Sequence, residues 1–385
     1  MSQKENWGSR VGLVLAMAGN AVGLGNFLRF PAQAAQNGGG AFLIPYLVSF
    51  VLMGIPLLWV EWAIGRHGGQ FGHHSAPGMF DKMGRGKWLK YVGVFGIFTN
   101  LTVAAYYCYI ESWTLAYVFH SLKGTFVAFG HSQPAVGQFF NDYLGVTAAS
   151  LFSLPGEAFF WFLVTLCLNV WILSRGLSKG IELAAKIGMP LLILFGIILA
   201  IRGLTLGAGS PGLVESPLHG LNFVWNPNLS GLANPTTWLA AAGQIFFTLS
   251  VGMGSIHCYA AYVKKDHDIA LNAASAGWMN EFVEVLLGGS LLIPIATAYL
   301  GLAAVQAATA GGSGFSLGFL TLPVLFNNWG WFAPIAGAMW FGLLFFAGIT
   351  SSLAMGQPVM AFFEDEFGVK RQKSALLFGA ATLAL

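Results

Sequence analysis

Long apolar runs separated by shorter polar stretches set the pattern of this chain. A membrane-spanning helix needs about 20 mostly apolar residues. Segments meeting that rule lie at roughly 10–36, 41–66, 88–121, 157–174, 183–202, 237–262, 270–299 and 333–363. A ninth begins near Ser374 and the chain stops inside it, at Ala-Leu-Ala-Leu, so a piece of a longer protein is expected. Stretches at roughly 122–156, 203–236 and 300–332 are rich in Gly, Pro, Ser and Asn and read as loops. The pattern predicts an all-α polytopic membrane protein.

Two of these runs are interrupted. The first holds three glycines in seven residues (Gly19, Gly23, Gly25) together with Asn20 and Asn26, followed by Arg29 and Pro31. The sixth holds Thr248-Leu-Ser-Val-Gly-Met-Gly-Ser255. Such residues are costly in an unbroken lipid-facing helix, and irregular backbone at membrane depth is tolerated only where protein or a cavity surrounds it. Close packing of small residues would explain either run alone. Paired breaks in the first and sixth spans instead suggest two similar halves with a binding site between them, where open carbonyls suit a cation and a half-helix N-terminus suits an anion.

Composition narrows the class. Charged residues make up 9% of the chain, against about 25% in soluble domains, which excludes a soluble globular protein. The AVILMFWYC set makes up 56%. Cys108, Cys167 and Cys258 are scattered in apolar surroundings and suggest neither a disulfide framework nor a metal site. The first apolar run is too long for a signal peptide and lacks a small-residue cleavage site. The net charge of +3 reflects loop bias, so nucleic acid is not an expected partner. Of the 18 Lys and Arg residues, only Lys123 and Arg202 fall on one side and only Arg29 within a span. The positive-inside rule therefore places the N-terminus in the cytoplasm of a cell inner (plasma) membrane protein. No nucleophile–base constellation appears, so an enzyme is not expected.

The chain resembles the neurotransmitter:sodium symporter family, in its bacterial amino-acid transporter branch. The resemblance rests on Ala18–Pro31 (AGNAVGLGNFLRFP), Asn37–Phe42 (NGGGAF), Tyr106-Tyr107, Gln244–Ser250 (QIFFTLS) and Ala347–Ser352 (AGITSS). It implies a leucine-transporter-type inverted-repeat fold with broken helices 1 and 6. The single transporter domain, 1–385, would hold a first repeat at 10–202 (helices 1–5). An incomplete second repeat at 237–385 would hold helices 6–8 and the start of helix 9.

The resemblance also implies roles. One sodium site would use Ala21, Asn26, Thr248 and Asn280; a second would use Gly19, Val22, Ala347, Thr350 and Ser351. Without the family, Thr350 and Ser351 read as helix hydroxyls bonded to carbonyls one turn back. The substrate carboxylate would meet amides near Leu24 and Gly25 and the Tyr107 hydroxyl. The ammonium would meet carbonyls at Ala21, Phe247 and Thr248 and the Ser250 hydroxyl, with Asn20 joining the site. Val103, Tyr107, Phe247, Met253, Ser351 and Met355 would form its walls. Leucine-binding relatives carry Phe and Ile where Met253 and Met355 stand; two Met make an adaptable wall that also accepts aromatic rings.

Glu284, one turn after Asn280, would substitute for the chloride of chloride-dependent members, leaving proton antiport open. Tyr107 and Phe247 would form a lid, with Phe315 above it. Arg29 would gate the outside, with an acidic partner in a tenth helix beyond this sequence. Lys4, Trp7, Tyr262 and Asp365 would gate the inside, Lys4 standing where Arg is usual and giving a point-charge pair instead of a bidentate one. Glu61, Glu111 and Glu281 read as structural hydrogen-bond acceptors, His257 as a hydrogen-bonded helix residue, and His73-His74 as incidental loop residues.

The expected function is sodium-coupled, chloride-independent import of a hydrophobic amino acid, aliphatic or aromatic, by alternating access. Helices 1, 2, 6 and 7 would rock against 3, 4 and 8. The alternative is a non-transporting amino-acid sensor on the same scaffold. Expected partners are the amino acid, sodium and membrane lipid, with a homodimer left open.

Overall fold

The computed structural model describes residues 5–84, 88–146, 156–207, 209–264, 266–310 and 314–385. Among them the chain is helical and has no strand. The first span is two helices, α1 (Arg10–Ala21) and α2 (Leu24–Gln36), bent by 50° at their junction. Then follow α3 (Gly40–Gln70), α4 (Leu89–Leu122), α5 (Gly156–Ser174) and α6 (Leu177–Leu204). The sixth span is α7 (Pro235–Thr248) and α8 (Ser255–Ala261). Next come α9 (Ile269–Leu300), α10 (Ala333–Phe367) and α11 (Arg371–Ala384).

Local chemistry sets the two breaks. The Ser9 hydroxyl caps α1 by accepting from Gly12 N at 3.0 Å. α1 stops where Val22 turns extended (φ −71°, ψ 106°). α2 restarts after Gly23, whose amide donates to Asn26 Oδ1 at 2.8 Å. A Cβ at Gly23 would stand 2.8 Å from the Tyr107 hydroxyl and 3.1 Å from Ser351 Oγ, so no side chain fits between the first break and its neighbours. In the sixth span, Gly252 (φ 86°) and Gly254 (φ 92°) take the left-handed backbone that glycine adopts without cost. Ser250 (φ 55°) takes it with a side chain. A wide, π-helical turn at Phe282–Gly288 in α9 lies beside the first break. Such turns recur at functional sites.

The most extensive helix contacts are α4 with α10 and α3 with α8. The latter pair approaches through Gly65 and Gly69, which lie directly against the carbonyls of His257 and Ala261. Fully buried Trp62, Tyr117, Tyr259 and Trp340 fill the interior, while Leu52, Phe95, Phe98 and Leu239 are exposed. An apolar belt of that kind belongs against lipid.

The stretches read as loops are partly folded. They carry helices at Gln133–Leu144, Pro217–Trp225 and Leu302–Thr309, two of them opening with a proline in the first turn, where its missing N–H costs nothing. Their Pro, Gly and Asn are caps and starts of short helices.

Candidate substrate and ion site

A cavity of about 710 Å³ opens between the two breaks. All the residues expected at the substrate site line it: Asn20, Ala21, Leu24, Gly25, Val103, Tyr107, Phe247, Thr248, Ser250, Met253, Ser351 and Met355. It runs from the breaks past Phe247 to Arg29 and Phe315, and among the described residues Arg29 is its only charged lining residue. The Tyr107 hydroxyl accepts from Leu24 N at 3.2 Å, at the start of α2. Ser250 Oγ donates to the Asn20 carbonyl at 3.2 Å, tying one break to the other. Truncating Tyr107→Phe leaves the Leu24 amide without this partner. The expected result is roughly tenfold weaker substrate binding by equilibrium dialysis, with little change in thermal stability.

Beside the cavity lies a buried polar cluster. Asn26 Nδ2 donates to Asn280 Oδ1 (2.9 Å), Glu284 Oε2 (3.1 Å) and Thr248 Oγ1 (3.4 Å). Thr248 Oγ1 donates to Glu284 Oε2, and Gln244 Nε2 donates to Glu284 Oε1 at 2.5 Å. Asn26 thus shows its nitrogen to the cluster while its oxygen caps α2. Ligation of a cation by Oδ1 would need a half-turn of this amide. Gln244 also accepts from Arg29, whose guanidinium sits 4.5 Å over the Phe247 ring.

A second oxygen cluster lies where α1 ends against α10. Ser351 Oγ stands 3.2 Å from each of the Gly19, Val22 and Ala347 carbonyl oxygens. Thr350 Oγ1 donates to Phe346 O (3.0 Å) and Ala347 O (3.2 Å), the ordinary backbone bond of a helix threonine. A Cβ at Gly19 would stand 3.2 Å from Thr350 Oγ1. The cluster is uncharged and all oxygen, a donor set suited to a hard monovalent ion. Among the described residues, no group of three His, Cys, Asp or Glu is placed to hold a metal.

The end of the bundle nearest the N-terminus is closed. Trp7 Nε1 donates to the Tyr259 carbonyl at 3.0 Å. Gly8 N and Ser9 Oγ both donate to the buried Glu182 carboxylate, at 2.7 and 2.8 Å. Lys4 lies outside the described residues. Asp365 pairs with His74, which also stacks on Tyr262. The reading of His74 as incidental is thereby corrected: its partner lies 291 residues away, beyond any local pattern. His257 also differs from expectation. Among the described residues neither ring nitrogen has a hydrogen-bond partner, and Nε2 lies 3.7 Å from Glu61. Glu61 accepts from Gly252 N at 2.5 Å, holding the sixth break, and Glu111 accepts from Asn169 at 3.2 Å.

Several lining residues escaped the sequence reading: Thr99, Tyr106, Ile110, Phe246 and Gly314. Thr99 and Ile110 were findable, since they extend the Val103–Tyr107 face of one helix by a turn each way. Gly314 comes from a long connection and carries no such signal.

A family model described as the Sodium:neurotransmitter symporter family matches residues 4–132 and 125–385. An uncharacterized sodium-dependent transporter of Methanocaldococcus jannaschii is 32% identical over all of this chain and 73% of its own. A human sodium-dependent neutral amino acid transporter is 31% identical over 73% of this chain and 39% of its own. The crystal structure of the protein MhsT in complex with L-phenylalanine superposes with a TM-score of 0.80 at 34% identity, covering 99% of this chain and 80% of that one.

Proposed function

The chain belongs to the sodium:neurotransmitter symporter family, and from that footing we propose that it imports a neutral hydrophobic amino acid with sodium. The observation that carries this reading is the cavity between two broken helices, which faces main-chain amides, carbonyls and an apolar wall together. A zwitterion fits such a lining. Its carboxylate would meet the α2 N-terminus and Tyr107, and its ammonium the carbonyls and Ser250 hydroxyl at the sixth break. No acidic side chain lines the cavity among the described residues, which favours a zwitterion over a free amine. Val103, Ile110, Phe246, Phe247, Met253 and Met355 supply the wall. The phenylalanine bound by one relative and the neutral amino acids named for another agree in class.

Sodium is cargo in this reading. The Gly19–Val22–Ala347–Thr350–Ser351 oxygens would hold one ion. Ala21, Asn26, Thr248 and Asn280 would hold the other, against the substrate carboxylate. The buried Glu284 beside the second group supplies a fixed negative charge, so no chloride is required. On this reading the unit would divide into repeats at 10–202 and 237–385, the second incomplete, in an inner membrane with the N-terminal end in the cytoplasm. The cavity reaches Gly314 and Phe315 at one end, while Trp7 and Tyr259 are packed shut at the other, which suits an outward-facing state.

Binding of radiolabelled leucine, phenylalanine and tryptophan to the purified chain in sodium chloride, sodium gluconate and potassium chloride tests the reading. Equal binding in both sodium salts and none in potassium is expected. Equal binding in sodium and potassium would overturn sodium coupling. Loss of binding in gluconate would overturn the Glu284 assignment.

A further inference from the structure

We propose that His74 is a proton-sensitive member of the inner gate, holding Asp365 in the closed state more firmly when its imidazole is charged. The proposal deepens the transport reading above and rests on it.

His74 lies in the connection between α3 and α4. Its main-chain N–H donates to Asp365 Oδ2 at 2.6 Å, and its Nδ1 stands 3.1 Å from Oδ1. The same imidazole lies flat on Tyr262 at the end of α8, with ring centroids 4.3 Å apart and planes 17° apart. One side chain therefore grips an α10 carboxylate and covers an α8 ring. The Tyr262 hydroxyl accepts from Gln357 at 3.1 Å, and Gln357 Oε1 accepts from Arg371 at 2.7 Å. Arg371 also donates to Glu5 at 3.0 Å and to the Leu173 carbonyl at 2.8 Å. The chain of contacts thus joins the N-terminal segment, α8, α10 and α11 across the closed end.

The charges around His74 set the sign. Asp365 touches it, and Glu364 and Glu5 lie within electrostatic reach of the same cluster. Among the described residues Arg371 is the facing cation, 3.9 Å from Glu364. Tyr262 and Cys258 face the same carboxylates from α8. On the other side His73 sits against Gly78, and further along the connection Asp81 and Lys82 are exposed. The direct contact decides it: a charged imidazole 3.1 Å from the Asp365 carboxylate attracts it more strongly than a neutral one. The side chains of His74 and Asp365 are 20% and 12% exposed, so their attraction is only partly screened. In this proposal, opening would separate His74 from both Asp365 and Tyr262. A charged imidazole strengthens this hold only while the two groups are in contact, so acid on this side favours closure.

Cys258 is a native reporter, fully buried and one turn before Tyr262 on α8. In a Cys167→Ser background, which removes the exposed thiol, alkylation of Cys258 by N-ethylmaleimide reports inner-gate opening. Rates are measured in potassium chloride at acid and alkaline pH for the wild type and for His74→Gln, which keeps a hydrogen-bond donor but carries no proton-dependent charge. Dividing one rate by the other removes the thiol's own response to pH. We expect the wild-type rate relative to His74→Gln to fall about fivefold on going from alkaline to acid pH. Asp365→Asn should flatten the wild-type response, and serves alone should His74→Gln fail to fold. A ratio that does not change with pH, or a response that survives in Asp365→Asn, overturns the proposal. Added sodium should slow alkylation in the wild type at either pH. Failure of that response counts against the transport reading, separately from the role of His74.

Discussion

Asn26→Leu is expected to lower sodium-dependent amino-acid binding at least a hundredfold while leaving a folded protein. Asn26 is buried, and its amide serves two masters. Its oxygen caps the start of α2, and its nitrogen donates to Asn280, Glu284 and Thr248. Leucine matches it in size and makes none of these bonds. Removing one partner from a buried charged network costs about 3–5 kcal/mol, because the remaining groups stay desolvated. If most of that falls on the bound state, the dissociation constant rises roughly 10²–10³-fold. Binding isotherms in sodium, with a melting curve on the same preparation, separate lost affinity from lost folding. Wild-type affinity in Asn26→Leu would remove this cluster from the ion and substrate site.

Gly65→Val and Gly69→Val should each prevent recovery of folded protein. Both glycines press on α8 backbone carbonyls, those of His257 and Ala261, so a side chain at either place meets main chain instead of a movable side chain. Overpacking in an ordinary core costs about 1–3 kcal/mol because side chains can shift. Here α8 itself must move, and with it the sixth break. Gly137→Ala is the control: that glycine lies in a helix with open space around its Cα, and alanine there should stabilise by up to about 1 kcal/mol. Size-exclusion profiles and melting temperatures of the three variants decide the matter. A monodisperse Gly69→Val protein with an unchanged melting temperature would mean that α3 and α8 are not locked by this contact.

The spans and their breaks were legible because lipid imposes long apolar runs, and glycine, asparagine and arginine stand out against them. The first break was visible in Gly19–Asn26 and the second in Thr248–Ser255, and the observed junctions fall inside both stretches. The grouping of Val103, Tyr107, Phe247 and Met355 came from family resemblance; helical spacing alone would have linked only the first two. The contacts that His74 and Arg371 make at the closed end were illegible. One sits in a polar connection and the other among basic residues used only for orientation, and their partners are distant in sequence. The short helices of the long connections were hidden because Pro, Gly and Asn mark helix starts as often as irregular turns. Asn26's choice of nitrogen over oxygen depends on three helices meeting, and no linear pattern encodes it.

Neighbouring residues at the chain's beginning are pinned to different helices: Trp7 to the Tyr259 carbonyl, Gly8 to the Glu182 carboxylate. When one pin slips, the other keeps the loose residue within about 4 Å of its seat, and it re-engages before it can diffuse away. Escape requires both to be out during the same brief interval. Such a clasp does not creep. It waits, for a time that multiplies the rarity of one loss by the rarity of the other, and then lets go in a single crossing. A record of one molecule over time should therefore show long dwells separated by abrupt steps.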